Sequence, residues 1–233
     1  MQFEDSRRWF RSPRTQVHTV GCPLRKAFAN PNRAAAAKQL GLEAGKKVLL
    51  VTGASSGSAS INEAVCRLLP RLEAFAQSWQ IVHLTGLDNY EQVLAQYEGI
   101  RIPHRVLNYY DRMPDLYAAA DLLIGRSGAV SVAEYAVAGV PSICMPYPHH
   151  KDYHQYLNAG KLVEVGAAVI VDDLADVEDR TGWLWEELEE LMKDDDQRRE
   201  MTLACKEVAK PNAATEIARR LLAMADSSRR SVP

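Results

Sequence analysis

The stretch that decides the fold is residues 121–148, DLLIGRSGAVSVAEYAVAGVPSICMPYP. An apolar run breaks at the glycine-containing turn GRSG, a helix-like segment begins at Ala129, and a second apolar run follows Pro141. A strand, a turn, a helix and another strand in this order form the repeating unit of a parallel sheet covered by helices. The segment therefore predicts an α/β unit in which a helix N-terminus lies at the carboxyl end of a strand.

The same alternation of short apolar runs and helix-like segments occupies the chain from Lys46 onward. The runs that indicate strands are residues 48–51, 81–84, 105–107, 122–124, 142–145 and 167–171. The segments that indicate helices are residues 62–75, 90–96, 113–119, 130–138 and 155–165, followed by residues 183–192, 197–209 and 213–225. We therefore predict an α/β fold, a doubly wound parallel sheet of about six strands with C-terminal helices.

The repeating unit also defines the domain, which we place at residues 21–225. The first 20 residues do not fit the unit. Residues 17–20, VHTV, indicate a strand or a linker, so we interpret residues 1–20 as the remnant of a preceding domain or as a linker. At the C-terminus, the mostly polar residues 226–233 indicate a disordered tail.

Composition excludes several classes of protein. The 233 residues are 47% hydrophobic and 25% charged, with a formal net charge of -2, so the bulk charge does not indicate a nucleic-acid partner. The four cysteines are far apart and show no C-x-x-C spacing, which fits a reducing cytoplasm better than a disulfide framework or a zinc site. No apolar run approaches the ~20 residues of a membrane span. Residues 7–11, RRWFR, suit either contact with anionic lipid or the exposed remnant of another domain.

Residues 50–61, LVTGASSGSASI, first suggest the nucleotide loop of a short-chain dehydrogenase. Three requirements of such an enzyme are missing: no glycine follows Gly57 to close the loop, none of the nine tyrosines has a lysine four residues later, and no acid ends the second strand. Asp88 is displaced into the next loop. We therefore disfavour a dinucleotide enzyme. The small residues are consistent both with an anion-binding loop and with an ordinary turn between strand and helix.

The turn within residues 121–134 indicates chemistry more directly. In an open α/β sheet, ligands bind beyond the carboxyl ends of the strands, near helix N-termini. A diphosphate there would meet the backbone N–H groups around Gly128, Ala129 and Val130 and the hydroxyl of Ser131. Glu134, one turn into the helix, would accept hydrogen bonds from a ribose diol. Arg126, in the turn itself, fits either a phosphate ligand or a salt bridge that braces the turn.

Four segments in order, residues 53–62, 121–134, 139–148 and 154–160, resemble the C-terminal, donor-binding domain of the MurG family. These bacterial enzymes transfer N-acetylglucosamine from its UDP donor to lipid-linked muramyl pentapeptide in peptidoglycan synthesis, with inversion. The resemblance covers residues 17–171 and implies that the predicted sheet is the Rossmann-like half of a GT-B fold. It also implies a hexosyltransferase whose other, N-terminal half binds the acceptor.

The resemblance assigns donor-binding roles to individual residues. Gly53, Ser55 and Gly57 match the glycine-rich loop that faces the diphosphate, Arg25 matches an arginine near the phosphates, and the backbone of Tyr110 matches the contact with the uracil edge. The full set of donor-binding residues is Arg25, Gly53, Ser55, Gly57, Asn62, Tyr110, Ser127, Gly128, Ala129, Val130, Ser131, Glu134, His154, Gln155 and Asn158. The last three match a segment that contacts the sugar hydroxyls.

The sequence departs from the family pattern at three positions. Cys22 stands where asparagine is usual, Ala54 replaces the second glycine of the donor loop, and Tyr153 replaces an aspartate. Binding of UDP stays consistent with all three. The departures at Ala54 and Tyr153 leave the identity of the sugar open.

The inverting displacement requires stabilisation of the departing diphosphate by a metal or a helix N-terminus. No D-x-D motif follows a strand, and we interpret Asp172, Asp173 and residues 194–196 as solvated charge. We therefore expect backbone N–H groups, Ser55, Ser131 and Arg25 to hold the leaving group, with no cofactor and no obligatory protein-bound metal. The resemblance places the acceptor site and the general base in an N-terminal domain, so no catalytic residue is assigned and the chain alone is expected to be inactive.

Two alternatives stay open beside the MurG-type enzyme. One is the donor-binding subunit of a two-chain transferase acting on another lipid-linked acceptor, and the other is a UDP-sugar epimerase or binding protein. For each of them the expected partner is a UDP-sugar, and for a transferase also a lipid-linked acceptor reached through an N-terminal domain or a partner chain. We expect a cytoplasmic location or peripheral association with the cytoplasmic face of the membrane.

Overall fold

The computed structural model describes residues 1–12, 15–29, 31–53 and 57–230. Its centre is a six-stranded, wholly parallel sheet in the order β3-β2-β1-β4-β5-β6. The strands are β1 (Lys47–Thr52), β2 (Trp79–Leu84), β3 (His104–Leu107), β4 (Leu122–Gly125), β5 (Ser142–Cys144) and β6 (Ala168–Ile170). This order is that of a dinucleotide-type doubly wound sheet. The predicted fold class is confirmed.

Helices cover both faces of this sheet. They are α1 (Arg33–Leu40), α2 (Ala59–Leu72), α3 (Tyr90–Gln96), α4 (Met113–Ala119), α5 (Ala129–Ala138), α6 (His154–Val163), α7 (Val177–Lys193), α8 (Asp195–Val208) and α9 (Ala213–Arg230). Short 3₁₀-helices occupy Glu4–Trp9, Lys26–Ala29, Glu73–Phe75 and Leu87–Asn89. Within the described ranges, no helix is both long enough and apolar enough to cross a membrane.

Strand β1 shows how the sheet forms two cores. Successive side chains of a strand point to opposite faces. Leu49 and Val51 accordingly pack in one buried cluster with α2 and α7, whereas Val48 and Leu50 pack in a second cluster with α4 and α5. Because both faces are covered, the strand is a continuous apolar run, which is typical of parallel sheets.

The start of α2 and the presence of α1 differ from the sequence prediction, and in both cases a polar N-cap defines where the helix begins. The side chain of Ser58 accepts a hydrogen bond from the Ile61 N–H, so α2 begins at Ala59, before the predicted residue 62. Helix α1 was not predicted at all. Its interior is a run of four alanines, which carries no apolar periodicity, but Asn32 caps its start and Gly41 adopts the left-handed conformation at its end.

The N-terminal segment packs against the domain, and residues 15–20 form no strand. The backbone N–H groups of Val20 and Gly21 donate to the carbonyl of Met1, at 3.0 and 3.2 Å. Gln2 Nε2 donates to the Ala129 carbonyl at 2.7 Å, and Asp5 forms an ion pair with Lys161 at 2.6 Å. These contacts hold the N-terminal segment against α5 and α6, and its described residues do not pair with a strand of the sheet.

At the other end, α9 continues to Arg230, beyond the residue 225 at which the sequence indicates disorder. The predicted tail is therefore helical over residues 226–230. Those residues, DSSRR, contain neither glycine nor proline, so nothing in them stops a helix that has already begun. Residues 231–233 lie outside the described part of the chain.

Candidate functional site

The candidate site lies where the strand order reverses. Strands β1 and β4 are neighbours, with Thr52 paired to Gly125 at their carboxyl ends, although strands β2 and β3 lie between them along the chain. The segments that follow the two strands run to opposite sides of the sheet and leave a crevice between them. The two glycine-containing segments singled out from the sequence therefore meet at one edge.

Gly53 and Gly57 are required by close approach of backbone to backbone. A Cβ on Gly53 would overlap Gly57 and the backbone nitrogen of Ser58, and one on Gly57 would overlap the carbonyl of Thr85. Gly57 also has a φ of +75°, in the region that favours glycine. The segment after β1 is thus tightly folded against the segment after β2. Ser55 and Ala54, which the sequence analysis singled out, lie outside the described residues.

The N-terminus of α5 presents backbone donors without a side-chain cap. Gly128 is its N-cap residue and has no side chain to accept from the first turn. The first intrahelical bond runs from the Val132 N–H to the Gly128 carbonyl at 3.0 Å. The N–H groups of Ala129, Val130 and Ser131 therefore have no carbonyl partner within the helix. These groups carry the positive end of the helix dipole. The arrangement suits an anionic ligand such as phosphate.

A cleft of about 340 Å³ opens beside this helix N-terminus. Five of the predicted donor-binding residues line it, namely Arg25, Tyr110, Val130, Ser131 and Glu134. Its other lining residues are Leu84, Asn108, Tyr109, Asp111, Met113 and Tyr117. The size lies within the range of small-molecule sites. The structure thus brings together residues that are distant in sequence and belong to the segment before α1, the end of β2, and the segments that follow β3 and β4.

Glu134 is a partly buried acidic side chain that lines this cleft. Burial raises the pKa of its carboxyl, while the hydrogen bond from Tyr117 and the charge of Arg25 act in the opposite direction. The Tyr117 hydroxyl donates to Glu134 Oε2 at 3.2 Å. The sequence analysis missed Tyr117, because its contact joins α4 to α5 across 17 residues and no local spacing indicates it.

Arg25 reaches the cleft from the segment before α1. Its Nη1 donates to the Asp111 carbonyl at 3.2 Å, and its guanidinium lies 5.6 Å from the centroid of the Phe28 ring. Both contacts fix the guanidinium beside the loop that contains Tyr110. A positive charge is thereby held near the N-terminus of α5, where it adds to the potential of the helix dipole.

The side chains of Gln155 and Asn158 form hydrogen bonds within the protein and are not the solvated amides of an exposed helix turn. Gln155 Oε1 accepts from the backbone N–H groups of Ser127 at 3.4 Å and Tyr147 at 3.0 Å, and Asn158 Nδ2 donates to the Ser127 carbonyl at 3.1 Å. These bonds join α6 to the turn between β4 and α5. The Ser127 hydroxyl, fully buried beside them, has no hydrogen-bond partner among the described residues.

Asn62 is predicted from the resemblance to bind the donor, but the structure places it under the site. Its side chain is 2% exposed. Nδ2 donates to the Thr85 carbonyl at 2.9 Å, and Oδ1 lies 3.0 Å from His83 Nε2. Both ends of the amide are therefore used within the protein. Asn62 holds the segment after β2 against the segment after β1 and does not reach the cleft.

Arg126 has the bracing role, one of the two that its sequence context allows. It is buried, and its donors bind the carbonyls of Met145 and Pro146, the hydroxyls of Ser58 and Ser60, and the carboxylate of Asp173 at 2.7 Å. The interpretation of Asp173 as solvated charge is wrong. Its side chain is buried because Arg126 and Arg180 surround it with positive charge.

Comparisons with known proteins bear on the family of this chain. The model of the glycosyltransferase family 28 C-terminal domain matches residues 48–217. The chain is 34% identical over 218 residues to the UDP-N-acetylglucosamine--N-acetylmuramyl-(pentapeptide) pyrophosphoryl-undecaprenol N-acetylglucosamine transferase of Halothermothrix orenii, a match that covers 91% of this chain and 58% of the relative. The protein of the same name from Symbiobacterium thermophilum is 35% identical over 233 residues, with 97% of this chain and 59% of the relative covered.

A solved structure gives the same result. The crystal structure of MurG from Acinetobacter baumannii is similar with a TM-score of 0.67 at 26% identity, over 88% of this chain and 56% of that chain. The resemblance to MurG inferred from the sequence is thereby confirmed. The chain spans a little over half the length of the relatives it matches. Since the family model covers most of the chain, the protein belongs to the glycosyltransferase family 28 C-terminal domain family.

Proposed function

We propose that this chain is the donor-binding part of an inverting glycosyltransferase that uses UDP-N-acetylglucosamine. The acceptor is lipid-linked muramyl pentapeptide, as the names of the relatives from Halothermothrix orenii and Symbiobacterium thermophilum state for those proteins. The observation that supports the proposal best is the cleft beside α5, where Arg25, Tyr110, Ser131 and Glu134 meet an uncapped helix N-terminus. A cleft of this kind has one anion-binding end and one end suited to a nucleoside.

The diphosphate of the donor binds at the N-terminus of α5. The N–H groups of Ala129, Val130 and Ser131 and the Ser131 hydroxyl supply hydrogen bonds, and Arg25 supplies a full positive charge. Negative charge grows on the diphosphate as the bond to the sugar breaks. Donors fixed in place before the reaction stabilise that charge more than the ground state, so they lower the barrier. This part of the mechanism uses no cofactor.

The nucleoside occupies the rest of the cleft. Glu134, as the carboxylate, accepts hydrogen bonds from the ribose diol, and the backbone of the segment around Tyr110 pairs with the uracil edge. Both groups are supported from behind, Glu134 by Tyr117 and the Tyr110 loop by Arg25. Pre-organised contacts of this kind cost little conformational entropy when the ligand binds.

The sugar of the donor lies near His154, Gln155 and Asn158 in this proposal. Their main contribution is to hold the protein surface that the sugar contacts. Gln155 and Asn158 fix the turn that contains Ser127, and within the described residues Gln155 Nε2 forms no hydrogen bond. That amide remains a donor for a sugar hydroxyl. The acceptor and the general base come from a further domain or a partner chain at the cytoplasmic face of the membrane.

The experiment that tests the donor site is a calorimetric titration of the purified chain with UDP-N-acetylglucosamine. UDP-glucose and NADPH serve as comparison ligands, and Glu134→Gln as the test variant. We expect saturable binding of the UDP-sugar and a loss of about 1–2 kcal/mol in Glu134→Gln, because a charged acceptor becomes a neutral one. The matched control is Glu98→Gln, an exposed position in the turn that follows α3, which leaves the affinity unchanged.

Three outcomes would contradict the proposal. One is binding of NADPH in place of UDP-N-acetylglucosamine, and another is an affinity that is equally lowered by both variants. The third separates a transferase from an epimerase: incubation with UDP-N-acetylglucosamine alone, followed by proton NMR, should leave the configuration at C2 of the sugar unchanged. Inversion at C2 without an acceptor would replace the proposal by the epimerase.

A further inference from the structure

The loop between β5 and α6 brings two imidazoles and a carboxylate together. One ligand atom from each of His150, Asp152 and His154 lies within 4.8 Å of the other two. His154 Nδ1 is 2.8 Å from Asp152 Oδ1, and the ring centroids of His150 and His154 are 4.3 Å apart. The three groups are solvent-accessible, and the donor-binding proposal assigns no role to His150 or Asp152.

The backbone produces this convergence through a tight turn. Tyr153 adopts the left-handed conformation, with φ of 51°, and is the one non-glycine residue with positive φ in the described ranges. Its N–H donates to the His150 carbonyl at 3.1 Å. Residues at alternate positions of an extended chain would stand ~7 Å apart. The turn shortens this spacing, so the side chains of His150, Asp152 and His154 converge on one point.

The turn is held at its base by the rest of the site. Arg126 Nη1 donates to the carbonyls of Met145 and Pro146, and the Tyr147 N–H donates to Gln155 Oε1. The Tyr147 ring also packs on the His150 ring, with centroids 4.9 Å apart. These contacts limit the freedom of His150, and a ligand set that is already close loses less entropy when it closes around an ion.

We propose that His150, Asp152 and His154 form a binding site for a divalent transition-metal ion of the zinc class. Imidazole nitrogen and carboxylate oxygen are ligands that Zn²⁺ accepts, and three protein ligands leave a position for water or for an oxygen of a bound molecule. Two imidazoles disfavour Mg²⁺, which prefers oxygen ligands. The contact between Asp152 and His154 alone is explained by capping of α6, but the third member, His150, is not.

The inferred site is separate from the stabilisation of the diphosphate, which the N-terminus of α5 provides. It shares His154 with the proposed sugar contacts, but it rests on the geometry of one loop and not on the proposed function. An ion there would tie the loop to the first residue of α6, next to Gln155 and its bonds to Ser127 and Tyr147. Metal binding is therefore expected to stabilise this edge of the molecule.

The test is a calorimetric titration of the full chain with Zn²⁺ at about pH 7.5, in a buffer that does not bind metal. Co²⁺ serves as a spectroscopic probe, because its visible absorption reports the ligand geometry. We expect one ion per chain, with an affinity that His150→Ala and His154→Ala each lower by at least about tenfold, since loss even of an outer-shell partner costs 10–100-fold. His149→Ala, in the same loop but outside the set, is the matched control and retains the affinity.

Two further readouts keep the inference falsifiable. Zn²⁺ should raise the melting temperature of the wild type but not that of His150→Ala, and the metal-free melting curve of each variant shows whether the variant folds. Excess Mg²⁺ should not displace the ion. Absence of saturable binding, or equal weakening in His149→Ala and His150→Ala, would overturn the site and would leave the donor-binding proposal untouched.

Discussion

At the scale of single residues, partners far along the chain decide whether a polar side chain lines the cleft or is buried beneath it. Glu134 and Asn62 both stand near helix N-termini after a strand, and the sequence alone treats them alike. In the structure Glu134 lines the cleft, whereas Asn62 is buried between Thr85 and His83. The residues that make the difference come from other strands, so local spacing predicts the cluster but not which member faces the ligand.

Gly57 should be the least replaceable glycine near the site. Gly57→Ala combines a left-handed φ with an overlap of the new Cβ and the Thr85 carbonyl. We expect it to destabilise the chain by about 2–4 kcal/mol, from roughly 1–2 for the backbone conformation and about 1–3 for the overlap. Urea unfolding measures this. Gly99→Ala is the matched control, since Gly99 has a similar φ of +78° in open space and should show the backbone cost alone.

His83 predicts a specific dependence of stability on pH. Burial lowers the pKa of this imidazole from 6.5 to about 3, so the folded state keeps it neutral while the unfolded state protonates it. The stabilisation is therefore fully present above about pH 6.5 and is lost as the pH falls toward 3. In urea unfolding between about pH 6 and pH 4, the wild type should lose up to about 1.4 kcal/mol more per pH unit than His83→Gln.

The exposed His18 provides the control for this experiment. His18→Gln should show the slope of the wild type. If the slope of His83→Gln were also that of the wild type, His83 would have to bind a proton in the folded state. The hydrogen bonds to Tyr97 and Asn62 would then need to rearrange in acid.

At the scale of secondary structure, the six strands were predictable and one helix was not. Buried parallel strands are short apolar runs with sharp ends, and all six were found from the sequence. Helix α1 consists mostly of alanine, so only its caps, Asn32 and Gly41, could have indicated it. The meeting of the segments after β1 and β4 was expected from the rule for parallel sheets. The role of α6 as a brace for the second segment was not, because it depends on tertiary contacts.

Gln155 gives a test of that brace. Gln155→Ala removes the acceptor of the Ser127 and Tyr147 N–H groups, and we expect a loss of about 1–3 kcal/mol in the free energy of unfolding. Gln155→Glu keeps an acceptor and should retain most of the stability. Its negative charge near the N-terminus of α5 should nevertheless weaken UDP-sugar binding in calorimetry.

Leu157→Ala is a suitable control, because Leu157 is an exposed residue of the same helix. It should change neither stability nor UDP-sugar affinity. A stable Gln155→Ala variant would show that the turn is held without Gln155. Unchanged donor affinity in a stable Gln155→Glu variant would place the diphosphate away from this side chain.

At the scale of the whole molecule, binding and turnover are expected to separate. The described chain has two covered cores and a cleft, but its match covers only 58% of the length of the Halothermothrix orenii relative. We predict that the purified chain binds UDP-N-acetylglucosamine and transfers little sugar to a lipid-linked acceptor, because acceptor positioning contributes a large part of the rate in such displacements. Transfer of labelled sugar to the lipid-linked pentapeptide measures this, and rapid multiple turnover by the chain alone would contradict it.

The buried Arg126 has a consequence for how this site can evolve. Its guanidinium joins the start of α2, the segment after β5 and the segment after β6 through Ser58, Ser60, Met145 and Asp173. Loss of Asp173 alone would leave an uncompensated buried cation, a change that typically costs about 3–5 kcal/mol. Substitutions at positions 126 and 173 should therefore be strongly epistatic. During evolution, Arg126 and Asp173 are therefore expected to be replaced together, because a protein with only one of the two replaced would fold poorly.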